Sequence, residues 1–239
     1  MSDTSSSRPD PAGLTELPVW IWLWLPPFMI VIVYVTKMVS KGFAIYFVDS
    51  EEGIVEIGTF VVLLPAIYLG TRCWGRRHLL PRRWIGPWLL LVTFACVYFA
   101  GEEVSWGQQF FSWSTPEVLS EYNDQGETNL HNMSSWFDQK PRLLLEIWVL
   151  VGGVAVPIWR RVRGVVFAEQ DWRYWFWPGW MCMPAAVLSY IAILPEWTRD
   201  IFRLKPFPIE ARYSEVQEFY FGLFLCLYLA SCWLKLKRK

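Results

Sequence analysis

Apolar residues run along this chain in six blocks, and the charged residues gather almost wholly between them. A helix crossing a bilayer needs roughly 17 to 25 mostly apolar residues. The blocks at about 17–36, 54–72, 86–110, 143–159, 174–194 and 216–234 fit that requirement. The pattern predicts an all-α fold, a polytopic transmembrane helical bundle of about six spans. Residues 1–16, rich in Ser, Asp and Pro, read as a short disordered tail. Residues 17–234 read as the six-helix domain with an outer polar loop at 111–141, and 235–239 as a basic tail. Pro26-Pro27 predicts a kink or break in the first span. The third run is overlong, so it is expected to tilt or to turn into an interfacial helix near Gly101 or Gly107. Gly152-Gly153 and Pro157 mark the fourth span as a place for close helix approach. The run from Leu17 to Val35 is long for a signal-peptide core, and only Arg8 precedes it as a basic residue. It is expected to stay on the mature protein.

Composition agrees with the pattern: 54% of the 239 residues are hydrophobic and 17 are Trp. Most of the Trp residues fall near span ends, as an interfacial aromatic belt requires. They include Trp20, Trp24, Trp84, Trp88, Trp172 and Trp175. The five Cys contain no C-x-x-C pair, and their odd number argues against a disulfide framework, so they read as buried small hydrophobes.

Net charge is zero, from 22 basic and 22 acidic residues, which predicts no nucleic-acid partner. The zero hides an asymmetry. Arg72, Arg76, Arg77, Arg82 and Arg83 lie in one loop, Arg160, Arg161, Arg163 and Arg173 in another, and Lys235, Lys237, Arg238 and Lys239 at the C-terminus. With Arg8 these make 14 basic residues on one side, and 17 of the 22 acids fall on or near the other. By the positive-inside rule the chain is expected to sit N-in/C-in in the cell inner (cytoplasmic) membrane, with an acidic outer face.

Four acidic pieces come to that face. Glu52 and Glu56 open the second span; Glu102 and Glu103 close the third; Glu127 and His131 are four apart in the outer loop, beside Asn129 and Asn132; Glu215 and Glu218 open the sixth. Glu102, Trp106, Gln109 and Trp113 follow helical spacing and are expected to form one stripe. Carboxylates with one imidazole are ligand types for a divalent metal, with Glu103, Glu127 and His131 as the candidate ligands. Without a metal, a Glu and His131 make a general base and acid. Or the cluster passes cations or protons, as intramembrane carboxylates do in transporters. The plainer readings are also physical. Glu52/Glu56 and Glu215/Glu218 sit where acids favour a helix N-terminus. Glu102 and Glu103, at a helix C-terminus, lack that reason; their plainer reading is an interfacial snorkel or an ion pair with Arg142, Arg199 or Arg212. His131 reads equally as a satisfied loop histidine. A serine-hydrolase reading has no G-x-S-x-G to rest on.

Gly-Glu-Glu-Val-Ser-Trp-Gly-Gln at 101–108, with Gln125-Gly126-Glu127-Thr128-Asn129-Leu130-His131-Asn132, resembles a family of bacterial polytopic membrane proteins of unassigned function. The resemblance covers about 50–135 and extends loosely to the sixth span. It implies the multi-pass fold and no particular reaction. The chain has a Glu-Glu pair but lacks the following Arg and the two further histidines of the intramembrane CAAX-type proteases. The several histidines of alkaline ceramidase-like hydrolases are missing too.

The leading expectation is a hydrolase or transferase acting on a lipid-linked substrate. Glu102, Glu103, Glu127 and His131 would be its catalytic core, with Trp106, Gln109, Asn129 and Asn132 for substrate and Glu52, Glu56, Glu215 and Glu218 in support. The alternatives are a non-catalytic membrane subunit docking a membrane-protein partner through its acidic face, and a cation- or proton-coupled transporter.

Overall fold

A computed structural model describes residues 17–39, 42–43, 53–111, 113–115, 135–203 and 213–239, with backbone alone at Gln109 and 135–139. Among the described residues there is no strand, and six helices are long and apolar enough to cross a membrane. They are α1 (Trp20–Val39), α2 (Ile54–Gly75), α3 (Ile85–Glu103), α4 (Lys140–Arg163), α5 (Trp172–Phe202) and α6 (Tyr213–Lys237). The chain is a multi-pass membrane protein. Each helix overlaps the apolar block expected to form it. The helices mostly outrun the blocks because a backbone losing contact with water must keep its own hydrogen bonds, whatever side chains it carries. The third is the exception, stopping at Glu103 rather than near 110.

Pro26 and Pro27 do not break α1. A π-helical stretch, Trp20–Trp24, precedes them, and the Leu25 N–H closes it on Trp20 O. The missing proline amides therefore fall where the bonding register has already shifted. Pro157 in α4 follows a second π-helical stretch, Val149–Ala155. α5 is interrupted after its first turn by extended backbone at Trp177 and Gly179.

α6 is the hub. Its most apolar window is 78% buried, against 11% for α1. Between Glu218 and Lys235 it carries no charged residue on any face, so it can be surrounded by protein throughout. Phe219, Tyr220, Phe221, Phe224, Leu227, Tyr228 and Leu229 are almost wholly enclosed. Its principal neighbours are α2 and α5, and α3 packs on α2.

Lipid tails are as apolar as leucine, so burial alone gives helices little reason to associate; close backbone approach does. Small residues supply it. A Cβ on Gly70 of α2 would stand 2.0 Å from Thr93 Oγ1 of α3. One on Gly153 of α4 would stand 2.6 Å from Ala186 Cβ and 2.7 Å from Phe224 Cε2. The Gly152-Gly153 pair is thus a point of close helix approach, as its sequence suggests. Buried hydroxyls return their protons to their own helices: Thr59 to Val55 O (2.9 Å), Thr93 to Leu89 O (2.7 Å) and Ser189 to Ala186 O (2.8 Å). The Cys residues are free; four are buried and Cys226 is partly so.

Two Trp expected in the belt pack into the bundle instead, Trp88 half-buried and Trp175 wholly so. Trp88 Nε1 donates to Tyr228 Oη (2.9 Å), and Tyr228 Oη donates to Trp175 O (2.8 Å). Trp175 is fully buried and donates from Nε1 to Glu169 O (2.9 Å). An indole packed in protein needs an acceptor for its N–H; the Tyr228 hydroxyl serves Trp88 and the Glu169 carbonyl before α5 serves Trp175. Trp20, Trp24, Trp84 and Trp172 remain exposed, as belt residues would be.

The ends of the bundle differ in charge. At one, Arg76 Nη1 donates to Leu236 O (3.2 Å), Lys239 Nζ to Leu79 O (3.3 Å) and Lys235 Nζ to Tyr174 O (2.9 Å). These bonds gather the α2–α3 turn, the start of α5 and the end of α6 into a basic end. The opposite ends of α2, α3, α4 and α6 carry the acids.

Replacing Gly153 by Val should lower stability by about 1–3 kcal/mol, because two rigid neighbours occupy the space of the new side chain. Gly75→Ala, where a Cβ meets nothing within 4 Å, should be close to neutral. Thermal unfolding of the two purified variants in detergent checks this, and equal midpoints would refute the close approach.

Candidate functional site at the acidic end

The site is built where α3 stops. After Glu103 the backbone leaves the helix, with positive φ at Ser105 (47°), Trp106 (55°) and Gly107 (101°). Glycine accepts such a φ freely; Ser and Trp do so at a cost that their surroundings must offset. The Gly107 N–H closes the turn on Val104 O (2.8 Å), and a short helix, Gln108–Phe111, follows. Trp106 folds back over α3. Three of its indole atoms stand 3.0 Å from where a Cβ on Gly101 would be, and its Nε1 donates to Glu102 Oε1. Only glycine at 101 leaves room for this.

The turn corrects one expectation. Glu102, Trp106, Gln109 and Trp113 do not lie on one continuous helical stripe, because the helix ends between the first and second of them. Glu102 and Trp106 meet through the fold-back instead. Gln108 Nε2 then donates to Trp113 O and to Thr115 Oγ1, both at 3.1 Å, and Trp113 stacks on Phe111.

Successive helical residues point about 100° apart, so Glu102 and Glu103 take different partners. Buried Glu102 receives the Trp106 indole N–H. Glu103 turns to α6, where it shares a side-chain hydrogen bond with Glu218. Glu215 of α6 and Glu56 of α2 lie close enough to act on Glu103 through their charge. Four acids from three helices thus meet at one depth: Glu56, Glu103, Glu215 and Glu218. A carboxylate has no donor, so two carboxyl groups hydrogen-bond only when one carries a proton. The facing Glu103 and Glu218 carboxyls are placed to share such a proton. Glu56 and Glu215 also lie in the first turns of α2 and α6, where the helix dipole favours negative charge.

A cation enters from α4. Arg142 Nη1 donates to Glu218 Oε1 (2.7 Å), Nη2 to Gln217 Oε1 (2.9 Å) and Nε to Glu146 Oε1 (3.4 Å). The fork geometry suits arginine and not lysine. Glu146 is held in turn by Tyr190, whose hydroxyl donates to the Glu146 carbonyl (2.7 Å). Gln217 is 1% exposed, and its Nε2 has no hydrogen-bond partner. Glu146 and Gln217 are absent from the residues the sequence singles out, and Arg142 figures there only as an ion-pair partner for Glu102 or Glu103. Arg142 and Glu146 do carry a signal, the i, i+4 spacing of an intrahelical ion pair. Gln217, between two glutamates, carries none. The ion pair considered between Arg142 and Glu102 or Glu103 goes to Glu218, one hydrogen bond further along. Arg199 is paired with Asp200 (3.3 Å).

Glu52, Glu127, Asn129, His131, Asn132 and Arg212 lie outside the described residues, as does the side chain of Gln109. Among the described residues no three His, Cys, Asp or Glu side chains are arranged to hold a metal ion. The ligand set Glu103, Glu127 and His131 has only Glu103 among them. No protein-family model, curated protein or solved structure matches this chain.

Arg142→Gln leaves Glu218 without its counter-charge and should cost about 1.5–3 kcal/mol, the range for hydrogen bonds to charged groups. Adding Glu218→Gln should restore part of that loss. A double-mutant cycle on thermal stability should give a coupling of at least about 1 kcal/mol. Additive losses would mean that the contact carries no energy.

Proposed function

We propose that the acidic end is an acid–base site acting on a lipid-linked substrate, by hydrolysis or group transfer. The observation that carries this reading is the approach of the Glu103 and Glu218 carboxyl groups from two helices, placed to share one proton. Such a pair has one member able to donate a proton and one able to accept it, the two tasks of general acid–base catalysis. Arg142 positions Glu218 and offsets the negative charge of the cluster. Phe110, Phe111 and Trp106 are exposed beside the carboxyls, an apolar surface suited to the chain of a lipid substrate. In this reading Glu102 fixes the turn through Trp106. Glu127, Asn129, His131 and Asn132 come from the outer loop, His131 as acid or ligand and the asparagines as substrate contacts. If a divalent metal takes part, Glu103, Glu127 and His131 would hold it, and it would activate water or a phosphate oxygen. The basic clusters favour an N-in/C-in orientation in the inner membrane, which faces the acidic end outward.

A shared proton would also suit proton passage. Against that, no charged residue lies in the middle of any spanning helix, so the cluster has no relay toward the basic end. A docking role for the acidic face is the remaining reading. It predicts gradual losses of association on charge reversal rather than one essential residue.

The test is turnover of a polyprenyl diphosphate and of phosphatidylglycerol in mixed micelles, with metal content measured on the same samples. Glu103→Gln and His131→Ala should each lower turnover by about 10²–10⁴-fold, with unfolding midpoints unchanged. Full activity in either variant would reject the assignment. Stoichiometric metal in the wild type, lost in both variants, would select the metal-assisted form.

A further inference from the structure

At the basic end, two arginines of α2 share one tryptophan of α6. Arg72 and Arg76 are four apart, so they stand on one helical face, where like charges repel. Cys73 between them faces α6, its Sγ 3.9 Å from Leu229 O. That rotation of α2 brings both guanidinium groups to Trp233. Arg72 Cζ and Arg76 Cζ each lie 5.1 Å from the centroid of its ring. Arg72 also stands 6.0 Å from the Tyr68 ring centroid.

An indole face attracts a cation, but one ring does not neutralise two. Each guanidinium also carries five N–H donors. Arg76 uses one of them on Leu236 O. Arg72 has neither a hydrogen bond nor an ion pair among the described residues, and no carboxylate among them reaches either arginine. Three arginines elsewhere do meet carboxylates: Arg173 meets Asp171 at 2.6 Å, Arg142 meets Glu218 at 2.7 Å and Arg199 meets Asp200 at 3.3 Å. The hydrogen bonds from Arg173 hold the Asp171 carboxyl below its usual range, as an ionised partner. Arg72 and Arg76 are therefore a held, unneutralised pair with donors to spare. Their geometry suits an anion with several oxygens, and a phosphate meets it.

What lies below the pair decides the source of that phosphate. On the same face of α2, descending from Arg72 at helical spacing, come Tyr68, Leu64 and Val61, all exposed. They make an apolar track in line with the cation pair, long enough for the upper part of an acyl chain. A soluble phosphate would use the arginines and leave the track unused; a phospholipid uses both.

We propose that Arg72 and Arg76, held on Trp233, bind the phosphate of an anionic phospholipid whose acyl chain lies along Tyr68, Leu64 and Val61. The site is at the opposite end of the bundle from the carboxyl cluster and does not depend on the function assigned there.

The experiment is lipid binding to the full chain in detergent, read by native mass spectrometry and by shift of the unfolding midpoint. Phosphatidylglycerol should bind at least roughly tenfold more tightly than phosphatidylcholine of the same chains, as expected for two basic residues facing an anionic headgroup. Arg72→Gln with Arg76→Gln should reduce phosphatidylglycerol to the phosphatidylcholine level. Arg82→Gln with Arg83→Gln, which removes as much charge from the neighbouring turn, should leave the preference intact. Inorganic phosphate should not displace the lipid at equal concentration. Equal binding of the two lipids by the wild type would overturn the proposal without recourse to any variant. Equal losses in both double variants would overturn it in favour of diffuse charge, and displacement by inorganic phosphate in favour of a soluble-anion site.

Discussion

In a bilayer the backbone must satisfy itself within each helix, and apolar side chains gain nothing by leaving lipid for protein. The bundle therefore depends on close van der Waals approach, and α6 is where that approach is concentrated. Gly58 of α2 meets Phe219, Gly153 of α4 meets Phe224, and Gly222 of α6 itself meets Thr59 and Leu63. Because α6 is held on several sides, its ends are fixed against the ends of its neighbours. Glu218 is thereby set against Glu103 and Arg142, and Trp233 against Arg72 and Arg76. Both polar sites are consequences of where one apolar helix is clamped.

Much of this was legible in the sequence because length and charge are one-dimensional signals. An apolar run bounded by charges makes a spanning helix almost regardless of its neighbours. The meeting of Glu56, Glu103, Glu215 and Glu218 follows from the same logic, since all four lie at helix ends that alternate sides. What was not legible depends on three-dimensional packing. The left-handed turn at Ser105–Gly107 places a Ser and a Trp in conformations their propensities disfavour. It is stable because Trp106 finds both the bare backbone of Gly101 and the Glu102 carboxylate. The interior role of Trp175 depended on the turn before α5, whose Glu169 carbonyl takes its indole N–H. Arg142 looked like one loop-side base among several until α4 brought its fork onto Glu218 and Gln217.

Opposite charge at the two ends gives the molecule two chemically different faces joined by an uncharged middle. At the acidic end, carboxyl groups are crowded and one arginine offsets part of their charge. At the basic end, aromatic rings spread the arginines over the surface and leave their donors open. Arg77 on Trp74 and Arg160 on Phe167 continue that pattern beyond the Arg72–Arg76 pair, each with one N–H on a carbonyl and no carboxylate partner among the described residues. Rings hold a guanidinium in place without using up its N–H groups, whereas carboxylates use them. The two faces thus differ in what they can still bind.

The central position of α6 also has a temporal meaning, since it is the last of the six helices to be translated. The five earlier ones enter the bilayer before their common partner exists, with the small-residue surfaces of α2 and α4 facing lipid. Glu103 is in place 115 positions before Glu218, an interval of roughly 6–23 s at ordinary rates of synthesis. Through that time neither the carboxyl pair nor the arginine–indole site can form. The contacts of Glu218 with Glu103 and of Trp233 with Arg72 and Arg76 can both form only once the final helix docks.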